Sequence, residues 1–349
     1  MLLVLVMAVA IYGIGAVMKA PASARWSMIG ILYLAVLLIN LTLPAGHSLR
    51  MATGQSPVLW LMIGASFVIF LVYRAGLRWL RRRVAPEIPV AQPELFSETE
   101  LNRYARHIVL REIGGLGQKK LKESKVLVVG AGGLGSPALL YLAASGVGTI
   151  GIIDDDVVEN SNLQRQVIHT DDAIGTPKVV SAMNAMKAQN PYVTVRPFHR
   201  RLEAKDADQL VAEFDLVLDG TDNFDTRYLV NRVCAAHRKP LISGALSQWE
   251  GQLSVFDPAN GTPCYQCVFP EAPADGLAPS CSEAGVIGPL PGVIGTMMAV
   301  EAIKVITGAG HALRSEMFIF DALYGESRKF GLKPREDCPV CGANAPDTA

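Results

Sequence analysis

Two pairs of cysteines, Cys264-Tyr-Gln-Cys267 and Cys338-Pro-Val-Cys341, carry the plainest chemistry in the chain. Two-residue spacing turns both sulfurs of a pair toward one ion, and four thiolates with no open position make a structural zinc site. Redox-active pairs or unmetallated thiols are the alternatives that spacing alone leaves open. The pairs are separated by 70 residues, so a shared Zn2+ would clip the C-terminal tail back onto its domain.

A second set of residues points to a nucleotide. Val126-Leu-Val-Val-Gly130-Ala-Gly132-Gly133-Leu-Gly135 sets a G-x-G-x-x-G between a β-branched run and a helix-like stretch. Such glycines let the backbone turn tightly and approach phosphate, and the helix N-terminus offers unpaired N–H groups. Asp154 closes the next strand-like run, where a carboxylate can hold ribose hydroxyls. That much suits NAD as well as ATP. The two are separated by Asp156-Val-Val-Glu-Asn-Ser-Asn162-Leu-Gln-Arg165-Gln166, with Lys178 following behind Gly175 and Pro177. Arg165 and Lys178 can neutralise a polyphosphate under attack, a concentration of cations that hydride transfer does not need. Asp222, in Gly220-Thr-Asp-Asn223 after another strand-like run, can hold Mg2+ against the phosphates. The rival from another class, an NAD-dependent oxidoreductase, explains the glycine loop but not Arg165, this second loop or the paired cysteines.

The elements that must position these residues alternate. A helix opens at Ser97-Glu-Thr-Glu and runs through Arg103 to Leu110; strands are expected at 125–129, 149–153 and 215–218. Helices are expected at 134–145, 176–189 and 224–237, and later strand-like runs at 240–243, 252–256 and 317–320 extend the sheet. Strands alternating with helices imply an α/β fold, a Rossmann-like doubly wound and mostly parallel sheet with its site at the strand C-terminal ends.

The front of the chain differs from the rest. Its first 86 residues hold eight of the 32 Lys and Arg and none of the 32 Asp and Glu, leaving 24 basic against 32 acidic side chains behind them. An acidic body argues against a nucleic-acid surface. Three uncharged apolar runs, 1–18, 28–44 and 57–73, have the length and lack of polar faces expected of transmembrane helices. Lys19 and Arg25 lie in the first connector and only Arg50 in the second, whereas Arg74, Arg78, Arg81, Arg82 and Arg83 follow the third run. That asymmetry predicts a multi-pass anchor over 1–83 in the cell's inner membrane, N-terminus outside, with the body facing the cytoplasm. Residues 84–97 are the expected linker, and 98–349 the soluble domain.

Taken in order, Arg103-Tyr-Ala-Arg106-His-Ile, G-A-G-G-L-G, S-N-L-Q-R-Q, G-T-P-K, G-T-D-N, both C-x-x-C pairs and Glu283-Ala-Gly-Val-Ile-Gly resemble the MoeB/ThiF/HesA family, whose fold the ubiquitin-activating enzymes share. The resemblance runs from about Leu101 to Gly342. It implies ATP-dependent adenylation of the C-terminal glycine carboxylate of a small ubiquitin-like sulfur-carrier protein ending in Gly-Gly, with pyrophosphate released. The MoeB-type reaction of molybdenum cofactor biosynthesis is the favoured branch, and a ThiF-like enzyme of thiamine biosynthesis is the alternative. Carried over by position, Gly130, Gly132, Gly133 and Gly135 form the ATP loop and Asp154 holds the ribose. Asn162, Arg165, Gln166, Lys178 and Asn223 then meet the nucleotide, and Asp222 binds Mg2+. Arg106 corresponds to an arginine that reaches the phosphates from the neighbouring subunit, which implies a homodimer. Cys281 matches a cysteine that in the ThiF branch forms a covalent link with the carrier and in the MoeB branch is dispensable for adenylation. Cys234, in a helix-like stretch, is expected in the core, and the histidines form no cluster and receive no role.

Overall fold

The computed structural model describes residues 1–84, 95–273 and 284–342. The chain divides into two units, Met1–Gln92 and Pro93–Ala349. In the first, the apolar runs form α1 (Leu2–Val17), α2 (Ala22–Thr42) and α4 (Pro57–Val84), with a short α3 (Ser48–Thr53) in the second connector. At about 1.5 Å per residue α2 is long enough for a bilayer core of about 30 Å, and α4 exceeds it. The 16 residues of α1 fall short of that thickness. Leu34, Leu38, Phe67 and Phe70 stand exposed around a small core of Val4, Val36 and Trp60. Buried Asn40 places its amide N–H groups inside the bundle, Nδ2 donating to Val36 O and Thr53 Oγ1, each at 2.9 Å, while its Oδ1 accepts no hydrogen bond among the described residues.

The second unit is built on one eight-stranded sheet ordered β3-β2-β1-β4-β5-β6-β7-β8. Its strands are β1 (Lys125–Val129), β2 (Thr149–Asp154), β3 (Thr194–His199), β4 (Leu216–Asp219), β5 (Leu241–Leu246), β6 (Glu250–Phe256), β7 (Glu316–Asp321) and β8 (Glu326–Gly331). The first five pair in parallel, the last three add antiparallel, and the polarity reverses between β5 and β6. This is the expected doubly wound, mostly parallel α/β sheet. Side chains alternate across a strand. Val126, Val128, Ile150, Ile152, Leu216 and Leu218 therefore face one core, and Leu127, Val129, Ile153 and Val217 the other.

Helices cover both faces. After α5 (Glu98–Arg103), α6 (Ala105–Ile108) and α7 (Gly114–Glu123), helices α8 (Gly135–Ala144) and α9 (Lys178–Gln189) cover the first core. The second core receives α10 (Ala204–Ala212), α11 (Phe224–Ala236) and α12 (Tyr265–Val268), and α13 (Pro289–Thr307) returns to the first. The single helix expected from Ser97 to Leu110 is two: a capping box between Ser97 and Glu100 starts α5, and the chain turns at buried Tyr104. The helix expected from Thr176 starts at Lys178, because Gly175 at φ 84° and Pro177 shape its entry.

Strands β3 and β8, with helices α7, α10, α12 and α13, are additions to the expected pattern. Both strands lie at the sheet edges, where Pro197 in β3 and charged residues in β8 leave no apolar alternation. By length and composition α13 could cross a membrane, yet half of it is buried against α8 and the sheet. Lipid-like apolarity here marks a helix enclosed by its own domain.

Candidate functional site

The C-terminal ends of β1, β2 and β4 open into one cleft of about 700 Å³. Its floor is the loop from β1 to α8. Gly130 sits at φ 96°, a left-handed conformation natural to glycine. A Cβ on Gly135 would lie 2.0 Å from Gly130 O, so the helix can begin this close to the loop only with glycine there. Asp154 is fixed from two sides: Oδ2 accepts the Ala131 N–H at 2.7 Å and Oδ1 accepts the Asp156 N–H at 2.9 Å.

The 3-10 turn Asn160–Asn162 carries the next group. Arg165 donates through Nη2 to Asn162 Oδ1 at 3.0 Å and through Nη1 to Ser161 O at 3.2 Å. Asn162 thus aims the guanidinium. Gln166 is buried beside Gly132, and its Oε1 accepts no hydrogen bond among the described residues. Lys178 opens α9 with only 4% of its surface exposed, its Nζ 2.7 Å from Asp156 Oδ2. Asp222 is exposed in the cleft lining, and among the described residues it has no hydrogen bond or ion pair. Asn223 is already engaged: its Oδ1 accepts the Thr226 N–H at 3.0 Å and caps α11. Eleven of the residues singled out from sequence are therefore in this region: the four glycines of the loop, Asp154, Asn162, Arg165, Gln166, Lys178, Asp222 and Asn223. Arg106 is not with them; it stands exposed on α6 and does not line the cleft of its own chain. Cys281 lies outside the described residues.

Three positioning residues escaped the sequence reading. Asp219, 1% exposed at the end of β4, accepts at Oδ1 from Thr221 N (3.0 Å) and Thr221 Oγ1 (2.7 Å). Arg227, 5% exposed on α11, reaches Asp219 Oδ2 at 3.4 Å, Ser243 Oγ at 2.9 Å and Gly244 O at 2.7 Å, and also donates to Thr221 O. The loop bearing Asp222 is thereby held by a buried charge pair in which both terminal nitrogens of Arg227 and both oxygens of Asp219 are hydrogen-bonded. His169 is the third. Its Nε2 is 3.0 Å from Ala131 O and its Nδ1 2.9 Å from Ser181 Oγ. A carbonyl only accepts, so Nε2 carries the proton and neutral Nδ1 accepts from the serine. Burial holds this imidazole's pKa below its ordinary 6.5.

The four cysteines of the two pairs converge. Cys264 Sγ is 3.6 Å from Cys338 Sγ and 3.9 Å from Cys267 Sγ, and Cys267 Sγ is 3.3 Å from Cys341 Sγ. Zinc–sulfur bonds of about 2.3 Å in a tetrahedron require about 3.8 Å between sulfurs; a disulfide requires about 2.05 Å. The donor set fits zinc. The second turn depends on Gly342, whose N–H donates to Cys338 O at 2.9 Å and whose Cβ, if present, would lie 2.4 Å from Glu336 O. Burial pushes the Cys264 thiol up to about 11, a cost that a bound dication would reverse by favouring thiolate. Cys234 is buried on α11 with its thiol pushed far up by desolvation, as an inert core residue should be.

A family model described as the ThiF family matches residues 104–340. Over 250 residues the chain is 47% identical to the SAMP-activating enzyme E1 of Haloferax volcanii, covering 72% of this chain and 92% of that protein. It is 45% identical over 251 residues to the sulfur carrier protein adenylyltransferase of Thermus thermophilus, covering 71% and 93%. Among solved structures, that of E. coli MccB with ATP is similar at a TM-score of 0.60 and 25% identity, covering 69% of this chain and 74% of that one.

Two expected outcomes follow from this geometry. Metal analysis of unchelated protein should find about one Zn2+ per chain, and Cys338→Ser should lower both zinc content and melting temperature, since structural zinc contributes folding free energy. For His169, the unfolded chain takes up a proton that the folded one refuses. Its contribution is therefore intact above about pH 6.5 and declines as pH falls toward the depressed folded pKa. Melting temperature measured from pH 7.5 to 5.5 should fall less steeply in His169→Gln than in the parent. Equal slopes would exclude the buried neutral imidazole.

Proposed function

The chain belongs to the ThiF family, and from that premise we propose that it is an adenylyltransferase that uses ATP to activate the C-terminal glycine carboxylate of a ubiquitin-like sulfur-carrier protein. The observation that carries this reading is the convergence of Arg165 and Lys178 on one cleft with the glycine loop, Asp154 and Asp222. The carrier's carboxylate oxygen bonds to the α-phosphorus as the bond to the β-phosphate oxygen breaks, leaving an acyl-adenylate and pyrophosphate. Negative charge grows on the phosphate oxygens, and fixed cations stabilise it without having to reorganise. In this assignment Asp154 takes the ribose, Arg165 and Lys178 the phosphates. The nucleophile belongs to the partner, so the enzyme needs to supply none.

Asp222 fits a Mg2+ role because it is a carboxylate in the cleft wall with no cation of the described residues bound to it. The ion would supply further charge neutralisation at the phosphates. Arg106, exposed near Val109 and Leu110 on the same short segment, suits a homodimer in which each copy completes the other's cleft. The MoeB-like branch, serving molybdenum cofactor assembly, is the finer reading, with a thiamine-type carrier the alternative. For the first unit we propose a multi-pass membrane anchor with the second unit facing the cytoplasm. Its support is the exposed apolar surface of α2 and α4 and the arginines of the closing turns of α4.

Asp222→Ala and Arg165→Ala should each reduce carrier-dependent ATP–pyrophosphate exchange by about 10²–10³-fold, while Cys281→Ala should leave exchange largely intact. Unchanged exchange in Asp222→Ala would remove its metal role. Exchange independent of any carrier would point away from carrier activation. The topology has its own check: a reporter fused after Ala349 should be active on the cytoplasmic side, and alkaline phosphatase activity from that fusion would reverse the orientation.

A further inference from the structure

Helix α11 carries polar residues at four-residue intervals, and each holds a different part of the molecule. Asn223 caps the helix beside Asp222. Arg227, one turn on, grips Asp219, Thr221 O and Gly244 O. Asn231, a further turn on and 2% exposed, donates from Nδ2 to Cys264 Sγ at 3.7 Å and accepts the Tyr265 N–H at Oδ1 at 2.8 Å. Residues at i, i+4 and i+8 share one helix face and span about 12 Å along the axis. The neighbouring residue adds a second grip, since Tyr228 OH donates to Phe269 O at 2.9 Å. Both ends of the turn containing Cys264 and Cys267 are thus fastened to α11. The same turn places Tyr265 and Phe269 in the cleft lining, where their rings pack with centroids 4.8 Å apart.

We propose that Asn231 is a positioning residue that couples the four-cysteine zinc site to the nucleotide cleft through α11. Ordering the cysteine turn fixes Tyr265 and the register of α11, and α11 fixes the loop that presents Asp222. Metal-ligand partners outside the ligand set commonly change affinity by about 10–100-fold. Here the partner lies one turn of helix from a residue that clamps the cleft. The inference rests on nucleotide binding in that cleft, as the proposed function has it.

Coupling between two binding events is reciprocal. If zinc orders the cleft for nucleotide, nucleotide must tighten zinc by the same factor. The test is zinc affinity of the purified full-length chain, measured by competition with a zinc-selective chromophoric chelator, with and without a non-hydrolysable ATP analogue and Mg2+. ATP-analogue binding is measured in parallel by equilibrium dialysis. In the parent, the analogue should tighten zinc at least about fivefold. Asn231→Asp keeps the acceptor for Tyr265 N–H but replaces the donor to sulfur. It should bind zinc about 10-fold more weakly and lose most of the nucleotide effect, with a correspondingly higher KM for ATP and a smaller change in kcat. Asn231→Leu, which removes both bonds, should show the same direction more strongly if it folds. Analogue binding with unchanged zinc affinity in the parent overturns the coupling and leaves the proposed function standing. Full coupling in Asn231→Asp overturns the role given to Asn231 and likewise leaves the proposed function standing. Absence of analogue binding overturns the functional reading and the coupling with it.

Discussion

The cleft depends on how the backbone of Ala131 is held. Its N–H goes to Asp154 at the end of β2, and its carbonyl to His169 beneath the loop. A glycine loop is permissive by nature: its residues can adopt many conformations, and ordering them costs entropy. Two hydrogen bonds on the one alanine among those glycines select a single conformation. They also tie the loop to both neighbours, because Asp154 closes β2 and His169 reaches Ser181 on the helix that begins with Lys178. The glycine loop, the Asp154 carboxylate and the helix of Lys178 are therefore placed by one connected set of bonds. A site assembled this way loses little freedom when a nucleotide arrives, which is the condition for electrostatic stabilisation to act on the transition state.

The sheet and most of its helices were legible because parallel strands buried on both faces appear as unbroken apolar runs, as at Val126–Val129. The candidate site was legible for a different reason: its loops carry unusual residue types in short strings, and each string keeps its own side chains close together. Asn162 and Arg165 are three residues apart and bonded. His169, Asp219, Arg227 and Asn231 were not legible. His169 reaches a carbonyl 38 residues away, Arg227 one 17 away, and Asn231 a cysteine 33 away. A buried polar residue in a helix looks the same in sequence whether or not such a partner exists; only the fold supplies it. Arg106 is the reverse case: its string was legible, but it stands exposed on α6 away from the cleft, and the homodimer proposed for it would place its partner on another copy.

The cations of the cleft are parked. Lys178 rests on Asp156 and Arg165 on Asn162, while the carboxylates of Asp154, Asp155 and Asp156 crowd within 4.8 Å of one another. An almost fully buried ammonium without a counter-charge would carry an uncompensated desolvation cost, and three adjacent carboxylates without a cation would repel. Pairing resolves both problems before any nucleotide is present. The two partners are not equivalent, however. Lys178 is enclosed and Asp156 is largely exposed, so the carboxylate can swing into water while the ammonium stays where it is. A polyphosphate entering the cleft can therefore take over the lysine at the cost of an ion pair that is half solvated, and such pairs are worth little. Arg165 needs no exchange, because Asn162 leaves its charge uncompensated. The arrangement keeps positive charge in place and oriented, yet releases it to a ligand with more negative charge than a single carboxylate can offer.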